Sequence, residues 1–407
     1  MVAPKNVLAI ANFARKYGVD CATCHDPAVP RLNAFGHQFR KMGYRMDTEI
    51  GKDTKPQEYK EIGDWISTRF RIGYAHERFS DEQASTSAGN RFRSRNGFLR
   101  PDATVFYAGT LTKNLSTFIE IEWADEDEIE LQAFMEWFQG DINNYYTLRL
   151  GQMHTLSRVG WAGFDRPTGI TTPDALSQTL TGSPVPFKIG NDQRGLDFSY
   201  AFTPENRLIL GVYNGMNQSG SGTSGNGQGF GDSDGSKDGL FAYEQMFGES
   251  GFTLFGYYGT WQQAAGTVVN SVTLPDDGRY TEFNFYRVGA TGSWVFPIFD
   301  KKKVGDSELQ GGYIYAKDEY PVLYPTRSNN SAHAFWIGAE QRLPHGSAIF
   351  YRHDLVARND GADNLRHRNT LGSVYTVQKY LRLSIELFQY DQTADSYGVN
   401  FQAMLNY

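Results

Sequence analysis

Cys21-Ala22-Thr23-Cys24-His25 sets two thiols three residues apart with an imidazole directly behind the second, and these are the only two cysteines in the 407 residues. Thiols at this spacing can add across the two vinyl groups of a haem, and the following histidine is then placed to ligate the iron from the proximal side. A C-x-x-C pair also serves as a redox dithiol or as half of a zinc site. A zinc site needs further thiol or imidazole ligands nearby, and only His37 is close. A thioredoxin-like dithiol needs a βαβ context, which is absent here. The pattern therefore points to one covalent haem c on Cys21, Cys24 and His25, with no disulfide framework.

A second axial ligand would come from Met46, Met42 or His37. Leu32, Phe35, Phe39 and Met42 recur at helical spacing, which predicts a helix over 32–42 that stops at Gly43. On that helix His37 points away from the apolar face, Met42 lies at its edge, and Met46 lies just beyond the stop. If that face covers the haem, Met46 and Met42 rank above His37. A thioether ligand would raise the potential relative to two imidazoles. The remaining histidines, His345 among them, fall at strand ends or in loops and read as surface residues.

Residues 1–64 form a short, non-repetitive head, too small for a self-sufficient core. A haem would supply part of the missing apolar bulk, and docking into a larger body the rest. From Trp65 onward the period changes to two. Ile66, Thr68, Phe70, Ile72 and Tyr74 alternate with Ser67, Arg69, Arg71 and Gly73, and comparable alternation recurs to the C-terminus. Sixteen such segments can be placed, near 65–75, 102–111, 114–124, 129–139, 144–153, 194–203, 206–214, 238–247, 251–260, 280–297, 307–316, 332–342, 346–355, 366–376, 379–390 and 395–407. About ten residues suffice for a tilted strand to cross a bilayer.

Tight turns, such as Thr112-Lys113-Asn114 and Pro344-His345-Gly346, alternate with longer connections at 76–101, 154–193, 215–237, 261–279, 317–331 and 356–365. That parity puts short turns on the periplasmic side and long loops outside. The links at Asp125–Glu128 and near Asp391–Ala394 would be unusually short outer loops. The last strand alternates up to a terminal aromatic, Tyr407, resembling the insertion signal of outer-membrane proteins.

The composition agrees: 14% aromatic residues and 43 glycines, with a polar mean hydropathy of −0.50. No run of about 18 apolar residues exists to form a membrane helix. The formal net charge of −7 gives no reason to expect nucleic-acid binding. Met1–Lys5 lacks the basic and apolar regions of an export signal, so a leader is expected to have been removed or replaced.

The expected fold is mainly β. It is a 16-stranded antiparallel transmembrane barrel over 65–407, preceded by a small α-helical monohaem head over 1–64 that plugs the lumen. Arg69, Arg71, Glu120, Glu122, Glu130, Glu136, Arg149, Arg207, Arg382 and Glu386 would face a wet interior. The acidic link Asp125–Glu128 would face outward as a solvated turn, or attract cations such as Fe(II).

Phe13-Ala14-Arg15-Lys16-Tyr17-Gly18, the C-A-T-C-H motif, Pro30-Arg31-Leu32-Asn33, Phe35-Gly36, Phe39-Arg40 and Gly43-Tyr44-Arg45-Met46 together resemble a known family. It is the outer-membrane cytochrome–porin fusions of iron-oxidising bacteria. The resemblance covers about residues 10–50, and the barrel resembles porins in pattern alone. It implies a protein of the Gram-negative outer membrane, in contact with its lipid, that oxidises extracellular Fe(II) through haem c and passes electrons to a periplasmic c-type cytochrome. It also implies Cys21 and Cys24 as haem attachments and His25 as proximal ligand, and leaves the distal ligand open. The competing expectations are a diffusion porin with a haem-bearing plug, and the same conduit run outward to external acceptors.

Overall fold

A computed structural model describes residues 11–52, 63–84, 91–123, 129–159, 168–181, 185, 187–215, 236–263, 268–269, 272–273, 281–298, 305–319, 329–358, 365–378, 380–391 and 395–407. Sixteen antiparallel strands close into one barrel. They are β1 (Ile66–Ala84), β2 (Arg91–Thr110), β3 (Leu115–Trp123), β4 (Ile129–Gly140), β5 (Tyr145–His154), β6 (Asp192–Thr203), β7 (Asn206–Tyr213) and β8 (Asp238–Phe247). The second half comprises β9 (Ser250–Gln263), β10 (Thr281–Phe296), β11 (Ser307–Glu319), β12 (Asn329–Leu343), β13 (Ser347–Arg358), β14 (Leu365–Gln378), β15 (Leu381–Asp391) and β16 (Ser396–Asn406). Each strand pairs with its neighbour in sequence, and β1 closes on β16 from Arg69 opposite Asn406 to Phe79 opposite Ser396. Closure leaves no unpaired edge, the condition for backbone to lie in lipid.

Period-two side chains divide the wall into two faces. Met135 and Trp137 on β4, Leu148 and Leu150 on β5, and Ile385 and Leu387 on β15 point outward and are exposed, as lipid-facing side chains must be in a chain taken alone. Arg69, Glu120, Glu136, Arg149, Arg207, Arg382 and Glu386 point inward and are buried. Arg71 and Glu122 are half-buried, and Glu130 lines an inner cavity with Glu120 and Glu122.

Two expected outer connections are not open loops. β1 and β2 stay paired well past the crossing, with His76 opposite Asn96 and Ala84 opposite Arg91, so most of 76–101 is a β-ribbon. Both faces of that ribbon carry polar side chains, which hides the period of two. The segment between β5 and β6 turns inward instead of outward. It contains two short helices, Leu156–Val159 and Asp174–Ser177. Leu156, Leu176, Leu180, Val185, Phe187 and Ile189 are all buried in one core with the wall. Phe187 stacks on Tyr257 at 4.5 Å. Glu386 on β15 accepts hydrogen bonds from Ile170 N (2.7 Å), Thr171 N (3.1 Å) and Thr171 Oγ1 (2.9 Å), tying the loop to the far wall. Met1–Lys5, Asp125–Glu128 and most of the Gly/Ser-rich 217–236 segment lie outside the described residues.

The head lies inside the cylinder. It has two helices, here labelled αA (Ala11–Tyr17) and αB (Ala34–Lys41). αB is shorter than the expected 32–42, starting on the Asn33 cap, whose Oδ1 accepts from Gly36 N at 2.9 Å. Gly43, at φ +67°, ends it as expected. Only part of the face read from the sequence is buried, Phe39 and Met42 but not Phe35. Phe35 is 43% exposed, whereas Gly36, His37, Phe39 and Lys41 are buried. The reason is that αB is enclosed by a wall carrying carboxylates as well as aromatics, so polar residues find partners inside.

Candidate functional site

The Cys21–His25 stretch is a tight turn, with Cys24 N and His25 N both donating to Cys21 O at 3.1 and 2.9 Å. Asn33 fixes αB to this turn: its Nδ2 donates to Ala22 O (3.2 Å) and Thr23 O (3.1 Å), and its backbone N to Cys24 O (3.0 Å). Gly36 then packs so closely that a Cβ there would stand 2.2 Å from Cys24 O.

His25 is buried, and its Nδ1 lies 2.9 Å from Arg31 O. A carbonyl only accepts, so Nδ1 carries the proton and the lone pair sits on Nε2. That tautomer is what an imidazole needs to ligate a metal through Nε2, with a backbone carbonyl orienting the ring from behind. Cys21 and Cys24 are not joined in a disulfide. Burial pushes the Cys24 thiol up to about 11, the reverse of the depressed value of a catalytic dithiol. Among the described residues no three His, Cys, Asp or Glu side chains converge.

Cys21 and His25 line a cavity of about 500 Å³ between the head and the short-turn end of the barrel. Across it stand His345 and Gly346 of the β12–β13 turn, Tyr380 and Arg382. An apolar-and-polar recess lined by Cys21 and the oriented His25 imidazole, with Cys24 buried directly behind, fits a covalently held haem.

The other sequence candidates lie elsewhere. Met42 is buried against Phe138, Tyr145 and Ala201 of β4–β6, on the opposite side of the ring from the cavity. Met46 packs on the cluster containing Phe13, Phe39 and Tyr44. His37 faces β8, where its Nε2 lies 3.0 Å from Glu244 Oε2. Burial, and then the Lys41 charge, pull the His37 imidazole down to about 3, so it is neutral at pH 7 and donates to the carboxylate. Of the five nominated residues other than His25, only Cys21 is brought with it to the cavity lining, while Cys24 stands buried behind it.

The head is held all round the ring. Lys41 pairs with the same Glu244, and Arg207 approaches it at 3.5 Å. Arg31 pairs with Glu308, while Arg342 bridges Asp26 and Glu308 at 2.7 Å each. Arg382 donates to Val29 O of the head (2.7 Å) and to Gly169 O of the inward loop (2.9 Å), joining both fillers to one strand. Asn12 donates to Trp65 O (3.3 Å) and Ala108 O (3.1 Å). Phe13, Tyr44 and Phe118 stack in series from helix to wall, at 5.3 and 5.7 Å between centroids. Buried charge on this scale is tolerable only where every member is paired.

Sequence reasoning missed Asn33, Gly36 and His345. The first two carried a signal: a capping Asn and a helix-interior Gly immediately after the motif. His345 carried none, because nothing local ties a distant turn to residue 25.

No family model matches the chain, and no curated protein matches it. Solved structures do. The outer membrane channel DcaP of Acinetobacter baumannii aligns with a TM-score of 0.55 at 12% identity, over 84% of this chain and 97% of that one. An anion-selective porin from Comamonas acidovorans aligns at 0.56 and 12%, over 84% and 98%. OprB of Pseudomonas putida aligns at 0.54 and 9%, over 86% and 96%. At such identities the likeness is one of fold. With the apolar outer face, it defines the class: the chain is a porin-type β-barrel of the Gram-negative outer membrane. The share aligned leaves room for a segment these channels lack, and the head is an additional body in this lumen.

Proposed function

We propose that this barrel is an electron-transfer protein carrying one haem c on Cys21, Cys24 and His25. In this reading it oxidises extracellular Fe(II) and delivers electrons to a periplasmic c-type cytochrome. The observation that carries the reading is the His25 tautomer, set by Arg31 O at 2.9 Å, beside Cys21 in an inner cavity. The haem would supply a one-electron acceptor and donor at that place. The chain's own residues do the rest. Arg31 orients His25, Asn33 and Gly36 fix the attachment turn, and the ion pairs to Glu244, Glu308 and Arg342 hold the head within the wall. The inward loop and the head together occupy the lumen, which favours passage of electrons over bulk solute.

The likeness to solved channels supports a second reading, a diffusion porin in which the haem-bearing head is a plug. The two separate in one experiment on detergent-solubilised protein. Covalent haem is measured by pyridine haemochrome, and its reduction by Fe(II) is followed by stopped flow over several pH values, beside conductance in planar bilayers. Rapid reduction with low conductance supports electron transfer. Haem that stays oxidised in a conducting barrel favours the porin, and absence of covalent haem ends the first reading.

A further inference from the structure

We propose that His345, a residue of the barrel wall's own turn, is the second axial ligand of the iron whose first ligand is His25. The proposal rests on the haem reading of the head and completes its site.

Three observations carry it. First, His25 and His345 line the same cavity, and among the described residues lining it there is no methionine and no third histidine. Second, the turn bearing His345 is clamped to the stretch just after His25. A Cβ on Gly346 would stand 3.1 Å from Pro27 O and 2.9 Å from Thr376 Oγ1, and Thr376 Oγ1 donates to Gly346 O at 2.7 Å. On either side, Asp26 pairs with Arg342, and Arg31, whose carbonyl holds His25, pairs with Glu308. The strand leading into the turn and the residues flanking His25 are therefore one rigid unit. Third, His345 adopts φ +63°, the left-handed region, followed by Gly346 at +68°. A side chain with a Cβ costs about 1–2 kcal/mol there relative to glycine. A turn that needed only to reverse the chain would be served better by glycine or asparagine.

Supply of one ligand by the head and the other by the wall has a consequence. The iron reaches six-coordination only while the head is seated, so docking and coordination are one equilibrium. Two imidazoles also set a lower potential than an imidazole and a thioether.

The test uses the full-length haem-loaded protein in detergent. His345→Gly suits the left-handed turn and leaves space for added imidazole, so loss of folding is not expected. Haem content per chain is measured first by pyridine haemochrome, and spin state and ligand type then by EPR and near-infrared magnetic circular dichroism. The expected wild-type spectrum is low-spin with two nitrogen axial ligands and no sulfur-to-iron charge-transfer band. His345→Gly at equal haem content should turn high-spin and return to low-spin with imidazole. His345→Met should show the sulfur band and a raised potential. A sulfur band in the wild type, or a His345→Gly protein that stays low-spin without imidazole, overturns the proposal while leaving the haem reading intact. Wild-type protein lacking covalent haem overturns both.

Discussion

Acidification should loosen the head from the barrel through one imidazole. His37 is fully enclosed, and burial with the nearby Lys41 charge lowers it from 6.5 to about 3. Once the head leaves the wall, the ring regains water and its ordinary value. Between those two values the released state binds more protons, so docking is strongest above pH 6.5 and weakens as pH falls towards 3. The full span is roughly 3.5 units, or about 5 kcal/mol at about 1.4 kcal/mol per unit, of which about 3 kcal/mol is lost by pH 4. That corresponds to a change on the order of 100-fold in the docking equilibrium. The groups facing His37 are Glu244 of β8, Arg207 of β7, and Arg40 and Lys41 of its own helix. Lys41, lowered to about 8 by burial, is charged in both states over this range and adds little slope. Gln at position 37 offers a neutral donor to Glu244 without a titrating ring. Hydrogen exchange of residues 37–42, taken as the ratio of His37→Gln to wild type at each pH, cancels intrinsic exchange. Wild-type protection should fall on the order of 100-fold more than the variant's between pH 7 and 4. Parallel profiles would refute the argument.

Two substitutions probe the contacts on either side of the head. Gly36→Ala should gain up to about 1 kcal/mol of helix propensity yet lose covalent haem and lower the melting temperature, because the new Cβ would meet Cys24 O at 2.2 Å; wild-type haem content in that variant would contradict the close packing. Glu386→Ala strips three acceptor contacts from Ile170 and Thr171, each worth about 1.5–3 kcal/mol for a charged acceptor, so the inward loop should loosen and planar-bilayer conductance rise, whereas unchanged conductance would show that the loop is held without it.

The barrel was legible because lipid on one side and protein or water on the other impose a strict period of two. All sixteen strands fall where Ile66–Tyr74, Leu115–Trp123, Leu381–Leu387 and their like alternate. Alternation ends where lipid ends, so the β1–β2 ribbon read as a loop. The inward turn of the β5–β6 segment was illegible for a different reason. Leu176, Val185 and Phe187 are spaced irregularly, and their apolar character has no direction until a closed wall surrounds them. The Cys21–His25 motif stood out because it is local. The placement of Met42 and Met46 away from it did not, because αB turns a mixed polar face to a charged wall, contrary to the simple apolar stripe.

Arg15 of αA spans the place where the first and last strands meet. It donates to Gly63 O at 2.7 Å and Ile66 O at 2.5 Å, and its guanidinium lies 5.5 Å from the Tyr407 ring centroid. Tyr407 in turn exchanges backbone hydrogen bonds with Thr68. The seam of the cylinder is thus backed from inside by the head. Loss of αA would therefore remove two hydrogen bonds and a cation–π contact from the stretch where β1 meets β16, so the seating of the small body and the closure of the large one are energetically linked.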